Sequence, residues 1–342
     1  MQIKQRLEYP IWKTPYFCVL GLFVFFKLVR AGTLTLLIDK PFFNKKLNLT
    51  LKFLNLLIYS GNKDEIGKKL LRCLINLGPG YIKFGQALST RPDLVDKKTC
   101  EYLKKLQDDM EPFSSSIAKN IIEKENHDSI DNIFSSFNEK PIANASVAQV
   151  HTAILKSGET VAIKILKPNI REKLFKDFIF FYWVSKCLEI AIPSIKRLKL
   201  SKNVEVLSEV SLNELDLTLE ASAAEELSEN FKDNPNYKVP KIYWEFTSKN
   251  ILVLEYIKGI RIDDINALKK ANHNIKKITE IGTEVFFLQV FRDGFFHGDM
   301  HPGNILINPK GVLIPIDFGI MGRLSNKDRQ FLALLLTYLL NK

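Results

Sequence analysis

The chain has 342 residues, of which 46% are hydrophobic and 25% are charged. These values are those of an ordinary globular protein, and the length suits two lobes or domains with ample material for a core. The cysteines are scattered without C-x-x-C spacing, which argues against a zinc site and a disulfide framework and favours a reducing, cytosolic compartment. They are Cys18, Cys73, Cys100 and Cys187.

Positive charge is concentrated at the start of the chain. The net charge is +11, and residues 1–60 alone carry nine Lys or Arg against two Asp or Glu, a net +7. Attraction to anionic lipid headgroups explains such an excess, and so does a Lys-rich bias without function. Nucleic-acid binding is disfavoured, because no recognised nucleic-acid-binding motif accompanies the charge.

The first apolar segment is Tyr16–Phe26, which has only eleven residues and is closed by Lys27 and Arg30. It is too short to cross a bilayer unaided, and no convincing signal-peptide cleavage site follows it. We therefore predict a helix that lies against a membrane or packs on the domain, with membrane contact favoured.

A helical region is predicted next. Asn62–Leu77 has amphipathic spacing, and the stretch after it predicts a helix in which Lys83 and Gln86 share one face. Considered alone, a Lys and a Gln on a helix usually form only a solvated face. Residues 98–137 predict two further helices, and Ser114–Ser116 offers N-caps for the second.

The hydrophobic period changes after Ile142. Thr152–Leu155 and Thr160–Ile165 predict two strands joined by a tight turn at Ser157-Gly158. The second strand contains V-A-I-K, which is typical of the kinase strand whose lysine, here Lys164, pairs with nucleotide phosphates.

Two helices and a buried strand are predicted downstream. Residues 173–192 form an apolar, aromatic helix, and Val204–Leu227 predicts one long helix rich in carboxylates. Among these acids Glu214, Asp216 and Glu220 stand out, because a kinase needs one helical Glu to hold its strand lysine.

The buried strand is Ile251–Tyr256, and Lys258-Gly259 ends it like a hinge between lobes. An adenine base would be read there by backbone groups near Glu255 and Ile257.

The most informative segment is Phe295–Gly322. Two short apolar runs flank Asn308-Pro309-Lys310-Gly311 and predict a β-hairpin, with Asp299 and Asn304 before it and Asp317 after its second strand. That order matches the kinase pattern H-x-D-x-x-x-x-N followed by D-F-G. In such a site the Asn and the second Asp are hard oxygen ligands for Mg²⁺, and the first Asp positions or deprotonates the attacking hydroxyl or water.

Two other interpretations of this segment are weaker. Its polar residues are also turn residues of an ordinary hairpin, but their types and order all agree with the kinase pattern. His297 and His301 are spaced like metal ligands, but Gly298 and Pro302 disfavour the helix that would put both imidazoles on one face. We therefore interpret this as a loop histidine that braces the backbone beside the D-F-G segment, and not as a metal ligand.

Together these motifs resemble the UbiB (aarF/ABC-one) family of atypical protein-kinase-like proteins, from about Leu77 onward. The discriminating motifs are Lys83-Phe84-Gly85-Gln86 (K-x-G-Q) and the alanine-rich loop at 143–151, because ordinary kinases lack both. Glu214-Leu215-Asp216 (E-x-D), HGDMHPGN and DFG complete the set. The phrase Phe286–Phe296 looks like the bacterial members linked to ubiquinone biosynthesis.

The resemblance implies an α+β, protein-kinase-like two-lobed fold with a helical N-terminal extension and a shortened C-lobe. Residues 1–60 would form the basic, apolar segment and residues 61–140 the helical extension with K-x-G-Q. Residues 141–258 would form the N-lobe with a helical insert, and residues 259–342 a partial C-lobe.

The resemblance also implies roles for individual residues. Lys164 would contact nucleotide phosphates and pair with Glu220, while Lys83 would pair with the E-x-D acids, Glu214 first. That pairing would dock the N-terminal helices over the place where a kinase receives a protein substrate. The alanine-rich loop would replace a glycine-rich phosphate loop and limit close approach to phosphate, since each Cβ narrows the backbone angles; its residues are Ala143, Ala145, Ser146, Val147 and Ala148.

Several positions depart from a standard kinase. His301 stands where a kinase has Lys, and Gly298 where it has Arg, so the usual partner of an activation-loop phosphate is missing. Nothing resembles an activation loop after Gly319. Typical members continue well past D-F-G, whereas this chain stops at Lys342. A truncated, split or naturally short member explains that end, and Phe331–Leu340 is expected to be a C-lobe helix.

The implied function is ATP hydrolysis or small-molecule phosphorylation that supports ubiquinone biosynthesis. The implied cofactors are ATP or ADP with Mg²⁺, and the implied partners are a membrane lipid or a quinone precursor and other ubiquinone-biosynthesis proteins. The implied location is the cytoplasmic face of the inner membrane, or the cytoplasm. Two alternatives stay open, a pseudokinase scaffold that binds nucleotide without turnover and a phosphotransferase of the aminoglycoside or choline kinase type. Oligomeric state is left undetermined.

Overall fold

A computed structural model describes Leu7 and residues 14–38, 45–58, 66–106 and 111–341. These residues fall into two compact units, both discontinuous in sequence. The first unit draws on 1–113, 143–149 and 166–215, and the second on 114–142, 150–165 and 216–342. The four consecutive segments predicted from the sequence stay a prediction.

The described residues form helices along most of the chain, numbered here in chain order. They are α1 (Thr14–Arg30), α2 (Thr33–Leu37), α3 (Lys45–Ile58), α4 (Ile66–Leu77), α5 (Pro79–Ser89), α6 (Lys97–Lys104), α7 (Ser115–Asn126), α8 (Ile130–Ile133), α9 (Ile170–Ala191), α10 (Leu200–Asn213), α11 (Leu217–Asn230), α12 (Ile265–Lys270), α13 (Ile275–Phe287) and α14 (Asn326–Leu340). The start of the helix predicted from Asn62, part of the basic N-terminal segment, residues 107–110 and Lys342 lie outside the described residues.

Strands form three small sheets. They are β1 (Phe134–Phe137), β2 (Ala143–Asn144), β3 (Ala148–Leu155), β4 (Thr160–Leu166), β5 (Ile251–Glu255), β6 (Ile260–Arg261), β7 (Phe295–His297), β8 (Ile305–Ile307), β9 (Leu313–Pro315) and β10 (Met321–Arg323). The largest sheet has the order β1-β3-β4-β5, with β2 also paired to β3; the others are β6-β8-β9 and β7-β10.

Both predicted hairpins are confirmed. β3 and β4 are neighbours joined through Gly158, whose φ of +97° is a conformation that glycine adopts without strain. β8 and β9 pair antiparallel, with Leu306 opposite Ile314. Their turn is closed by the side chain of Asn308, whose Oδ1 accepts from the N–H of Lys310 at 2.9 Å.

The core of the first unit is built around the aromatic helix α9. Phe180 and Trp183 of α9 pack with Phe17 of α1, whose ring centroid lies 5.7 Å from that of Trp183. Leu74 of α4 and Leu103 of α6 belong to the same cluster. The apolar segment predicted between Tyr16 and Phe26 is therefore a helix that buries one face against its own unit.

The other face of α1 is exposed and apolar. Tyr16, Val19, Leu22 and Phe23 are 65%, 69%, 70% and 53% exposed, and the Lys27 ammonium lies 4.5 Å from the Phe23 ring centroid. Among the described residues, no helix combines the length and apolar character needed to cross a membrane.

A half-buried carboxylate holds the start of α5. Pro79 occupies the first turn, and the N–H of Gly80 donates to Oδ2 of Asp177 on α9 at 2.9 Å. A side chain at Gly80 would overlap this carboxyl group, so glycine allows the close approach. Burial raises the pKa of Asp177 to about 6, although the Gly80 hydrogen bond opposes that rise.

The single long helix predicted over Val204–Leu227 is wrong. The structure has two helices, α10 and α11, separated at Glu214-Leu215-Asp216. Asp216 is the N-cap of α11, and its Oδ1 accepts from the N–H of Thr218 at 3.2 Å. An aspartate that satisfies a free N–H in this way favours a helix start over a helix interior.

The second unit has its core between α11, α13 and the β6-β8-β9 sheet. Leu227, Phe231, Val285, Ile307 and Phe318 are buried in it. The predicted C-terminal helix is confirmed as α14, which starts at a capping box formed by Ser325 and Asp328.

α14 carries an exposed apolar stripe, whereas the core lies elsewhere in the unit. Phe331, Leu334 and Tyr338 are 66%, 60% and 74% exposed, and no residue of this helix is buried. Their spacing places them on one face.

We predict that Asp177→Asn stabilises the protein near neutral pH. The pKa of Asp177 is raised on folding, so the folded chain binds a proton more readily than the unfolded chain between about pH 4 and pH 6, and stability falls as the pH rises through that window. The amide keeps an acceptor for Gly80 but carries no charge. We expect a gain of about 1–2 kcal/mol near pH 7.5 and almost none near pH 4 in urea unfolding.

The matched control is Asp233→Asn, because Asp233 is exposed. This variant should follow the wild-type pH dependence. An equal gain for Asp177→Asn at both pH values would contradict the predicted role of the half-buried charge.

Candidate active site

The centre of the candidate site is the side chain of Lys164 on β4. Its Nζ lies 2.7 and 2.9 Å from the two carboxylate oxygens of Glu220 and 3.1 Å from Oδ2 of Asp317. The three side chains are 14%, 4% and 40% exposed, respectively. One ammonium group therefore joins a carboxylate of α11 to a carboxylate that follows β9.

Local sequence explains why these groups converge. Ile163 and Ile165 on β4 are fully buried, so strand alternation directs Lys164 to the opposite face. Glu220 lies in the first turn of α11, where the helix dipole favours a carboxylate. Phe318 of the D-F-G segment is buried, and its N–H donates to Oε1 of Glu220 at 3.4 Å.

Burial and charge pairing act in opposite directions on these groups. Burial lowers the pKa of the Lys164 ammonium, but Asp317 and Glu220 outweigh it and hold that pKa above its ordinary value. Burial also opposes ionisation of Asp317, yet Lys164 and the Gly319 amide bring its pKa below the ordinary value. For Glu220 burial prevails over the attraction of Lys164, so its pKa is raised. Lys164 therefore stays charged and keeps Asp317 ionised at neutral pH.

His297 connects the segment of Asp299 to that of Asp317. Its Nδ1 lies 3.1 Å from the N–H nitrogen of Asp299, and its Nε2 lies 2.6 Å from the carbonyl oxygen of Asp317. A backbone N–H can only donate, so the hydrogen bonds assign the proton to Nε2, which donates to the carbonyl. This is the bracing contact predicted for the loop histidine. His301 is engaged separately, since its Nδ1 accepts from Gly303 at 3.2 Å.

Of the two predicted magnesium ligands, Asp317 has both carboxylate oxygens hydrogen-bonded, whereas Asn304 has a free side-chain oxygen within the described part of the chain. The carbonyl of Asn304 accepts from Ile316 at 2.9 Å, directly before Asp317, whose Oδ1 accepts from Gly319 at 2.9 Å. The side chains of Asn304 and Asp299 are half-buried and have no hydrogen-bond or ion-pair partner among the described residues. Unpartnered amide and carboxylate oxygens beside a partly exposed Asp317 are ligands that Mg²⁺ prefers, so the donor set fits this ion.

The described part of the chain contains no group of three or more His, Cys, Asp or Glu side chains that could hold a metal. Mg²⁺ does not need such a group, because it is usually bound by one or two protein oxygens together with phosphates and waters.

Residues 143–149 of the alanine-rich loop belong to the first unit, whereas Lys164 belongs to the second. Within the loop the N–H of Ala145 donates to the carbonyl of Ala148 at 2.8 Å and closes a tight turn. Oδ1 of Asn144 is buried without a hydrogen-bond partner among the described residues. The loop's nucleotide contacts stay a prediction for Ala143, Ala145, Ser146, Val147 and Ala148.

The predicted adenine contacts lie in the backbone at and after the end of β5. The N–H groups of Glu255 and Tyr256 already donate, to the carbonyls of Lys241 at 2.8 Å and Thr160 at 3.1 Å. The N–H of Ile257 has no acceptor among the described residues. Of the two predicted adenine contacts, only Ile257 therefore retains a free N–H.

The K-x-G-Q residues lie on α5. The Lys83 ammonium forms an ion pair with Glu214, and their side chains are only 11% and 14% exposed. This is the pairing that the family resemblance implies. Nε2 of Gln86 donates to the carbonyl of Leu106 at 2.9 Å, and a side chain at Gly85 would overlap Leu106. Asp216, the last E-x-D residue, caps α11.

Sequence reasoning missed two polar residues with structural roles. Gln289 is fully buried and its Oε1 accepts from the N–H of His297 at 2.9 Å. Asp177 holds the helix that carries Lys83. Each had one available signal, a polar side chain inside an apolar, aromatic helical stretch, but that signal does not name a partner.

This chain matches a known protein family. The ABC1 atypical kinase-like domain matches residues 105–342, which is more than half of the chain. The chain belongs to this ABC1 family. The family assignment and the α+β, protein-kinase-like fold predicted from the motifs are both confirmed.

Curated ABC1 relatives carry the name UbiB. The chain is 42% identical over 276 residues to a probable protein kinase UbiB of Aliivibrio fischeri, covering 79% of this chain and 51% of that protein. It is 43% identical over 271 residues to the probable protein kinase UbiB of Marinobacter nauticus, covering 78% and 50%. The chain therefore spans about half the length of the curated relatives it matches.

A solved structure is also similar. The complex of Rv3197 with erythromycin from Mycobacterium tuberculosis matches with a TM-score of 0.50 and 29% sequence identity. The match covers 77% of this chain and 68% of that one. It supports the kinase-like fold of this ABC1 chain.

We predict that Lys164 and Glu220 are strongly coupled in stability. Lys164→Met leaves a buried carboxylate without its counterion and should cost about 3 kcal/mol of unfolding free energy. Lys164→Met combined with Glu220→Gln should recover part of that loss, which gives a coupling of at least about 1.5 kcal/mol in a double-mutant cycle. Chemical denaturation measures all four proteins.

The control cycle uses Lys232 and Glu229, an ion pair with side chains 60% and 70% exposed. Its coupling should stay below about 0.5 kcal/mol. Simple additivity of the Lys164 and Glu220 substitutions would show that the buried pair does not stabilise the second unit.

Proposed function

We propose that the chain binds ATP with Mg²⁺ at Lys164 and transfers the terminal phosphoryl group to water or to a small molecule. The observation that carries this proposal is the contact of one lysine with both Glu220 and Asp317, at 2.7 and 3.1 Å. A charged lysine beside an ionised aspartate suits a phosphate and its metal ion at the same place. UbiB-named relatives support the same class of reaction.

Each residue of the site has a separate task in this proposal. Lys164 contacts nucleotide phosphates, and Glu220 holds its ammonium in place. Asn304 and Asp317 hold Mg²⁺, which when bound offsets the negative charge of the phosphate oxygens. Asp299 accepts a hydrogen bond from the attacking hydroxyl or water and takes its proton. Its carboxylate has no partner among the described residues and is free for this role.

We further propose that this reaction supports ubiquinone biosynthesis at a membrane surface. The basis is the UbiB name of the relatives and the exposed apolar face of α1, which includes Leu22 at 70% exposure. Basic residues in 1–60 give that segment a net +7, which attracts anionic headgroups. The partners are then a membrane lipid or a quinone precursor and other ubiquinone-biosynthesis proteins.

The first test is nucleotide turnover. We expect the wild-type chain to hydrolyse ATP only with Mg²⁺, and we expect Asp299→Asn to lower the rate by about 100-fold or more, because the proton acceptor is lost. Asp317→Asn should remove the Mg²⁺-dependent part of nucleotide binding, measured by calorimetry. Asp263→Asn, which removes an exposed carboxylate paired with Arg261, is the matched control and should retain full activity.

Tight nucleotide binding without turnover would replace this proposal by a pseudokinase scaffold. Phosphorylation of aminoglycosides or choline in the same assay would favour the other phosphotransferase class. Equal behaviour of wild type and Asp317→Asn would contradict the assigned metal site. Repeating the assay with anionic liposomes and a phenolic quinone-precursor mimic tests whether turnover is coupled to the membrane.

The second test is membrane binding by α1. Val19→Glu combined with Leu22→Glu places charge on the exposed face and should lower partitioning to anionic vesicles at least about tenfold, because burial of each apolar side chain contributes about 1.5–3 kcal/mol. Ile190→Glu changes an apolar residue of the same unit that is 80% exposed and should bind like wild type. An equal loss of vesicle partitioning for the α1 double variant and for Ile190→Glu would show that α1 does not contact the membrane.

A further inference from the structure

A fully buried amide lies beneath the candidate active site. Gln289 is 0% exposed, its Nε2 donates to the hydroxyl of Tyr237 at 3.3 Å, and its Oε1 accepts from the N–H of His297 at 2.9 Å. A buried primary amide is costly unless both ends are hydrogen-bonded. Here each end has a partner inside the second unit.

The backbone around Gln289 is unusual. α13 ends at Phe287, and residues Leu288–Asp293 continue as a π-helix that stops at Gly294, whose φ is +66°. π-Helical turns are rare and frequently occur at functional sites. In this chain the π-turn contains Gln289, which contacts the strand that leads into the catalytic segment.

The contacts of His297 extend this arrangement to both candidate aspartates. From the backbone held by Gln289, the imidazole accepts from the N–H of Asp299 at 3.1 Å and contacts the carbonyl of Asp317 at 2.6 Å. Within the described part of the chain, Gln289 forms no hydrogen bond with either aspartate, so its effect on them passes through His297.

We infer that Gln289 is a positioning residue that sets the spacing of Asp299 and Asp317 by holding His297 in one place and one tautomer. The inference deepens the proposed phosphoryl transfer and rests on it for its effect on turnover. Its effect on the histidine is a property of the protein without ligand. A residue that only filled the core would stabilise the unit but leave the tautomer and the rate per folded molecule unchanged.

The test compares three substitutions in the full chain. Gln289→Leu removes the acceptor for the His297 N–H, whereas Gln289→Glu keeps a carboxyl oxygen there and can accept from Tyr237. Tyr237→Phe removes only the hydrogen bond that Nε2 of Gln289 donates to the tyrosine hydroxyl. All three preserve most of the buried volume, and thermal melts identify the temperature range in which each variant is folded.

The first readout is nitrogen-15 NMR of the histidine rings without nucleotide. Wild type and Gln289→Glu should show His297 with the proton on Nε2 alone, and Tyr237→Phe should stay close to wild type. Gln289→Leu should show averaged Nδ1 and Nε2 signals. A His297 protonated on Nδ1 in wild type would overturn the inference whether or not any variant folds.

The second readout is the rate below the melting transition. Gln289→Leu should lower kcat by about 10- to 100-fold, the range expected when reacting groups are displaced by roughly 1 Å. Gln289→Glu should retain most of the wild-type kcat. Affinity for nucleotide without Mg²⁺ should not change, because Lys164 and Glu220 are untouched.

Wild-type tautomer and kcat in Gln289→Leu would overturn the inference and leave the proposed function intact. Absence of turnover in wild type would instead count against the proposed function, and the NMR comparison would still decide the role of Gln289.

Discussion

The second unit depends on one interaction, in which the ammonium group of Lys164 lies between the carboxylates of Glu220 and Asp317. A carboxylate as buried as that of Glu220 is costly without a counterion, and Lys164 supplies it at 2.7 Å. The same ammonium reaches Asp317, so a residue of β4 links α11 to the D-F-G segment. This charged link adds to apolar packing, because Phe318 of the D-F-G segment and Leu227 of α11 also lie in one buried cluster. It also keeps a cation and an anion ready at the place where the proposed phosphate and metal would bind.

The candidate site separates residues that hold it together from residues that remain available. His297 is buried and uses both ring nitrogens, while Asp299 and Asn304 are half-buried with unpartnered side chains among the described residues. Such a division is typical of preorganised sites, in which fixed dipoles and charges need little rearrangement when a ligand arrives. The fixed part of the site includes hydrogen bonds between side chains and the backbone, from Gln289 to His297 and from His297 to the segments of Asp299 and Asp317.

Sequence patterns predicted the local parts of this arrangement well. The residue types at Asn308 and Gly311 indicate a hairpin, and the V-A-I-K pattern on the second strand of the other hairpin singles out Lys164. The same reasoning wrongly joined α10 and α11, because a helical period continues across residues 214–216 and only the capping by Asp216 interrupts it. Gln289 was missed for a different reason. Its partner is eight residues away across a π-turn, and no propensity or period encodes that geometry.

The exposed stripe on α14 has a consequence for the protein in solution. Phe331, Leu334 and Tyr338 form an apolar surface on a chain of net charge +11. At low ionic strength, the like charges of two molecules repel each other. Added salt shortens the range of this repulsion to about 10 Å at 0.1 M, and the apolar stripes can then associate. Self-association of the purified chain is therefore expected to increase with salt, the opposite of a complex held by ion pairs. Light scattering across a salt series will show at which salt concentrations the chain is monomeric.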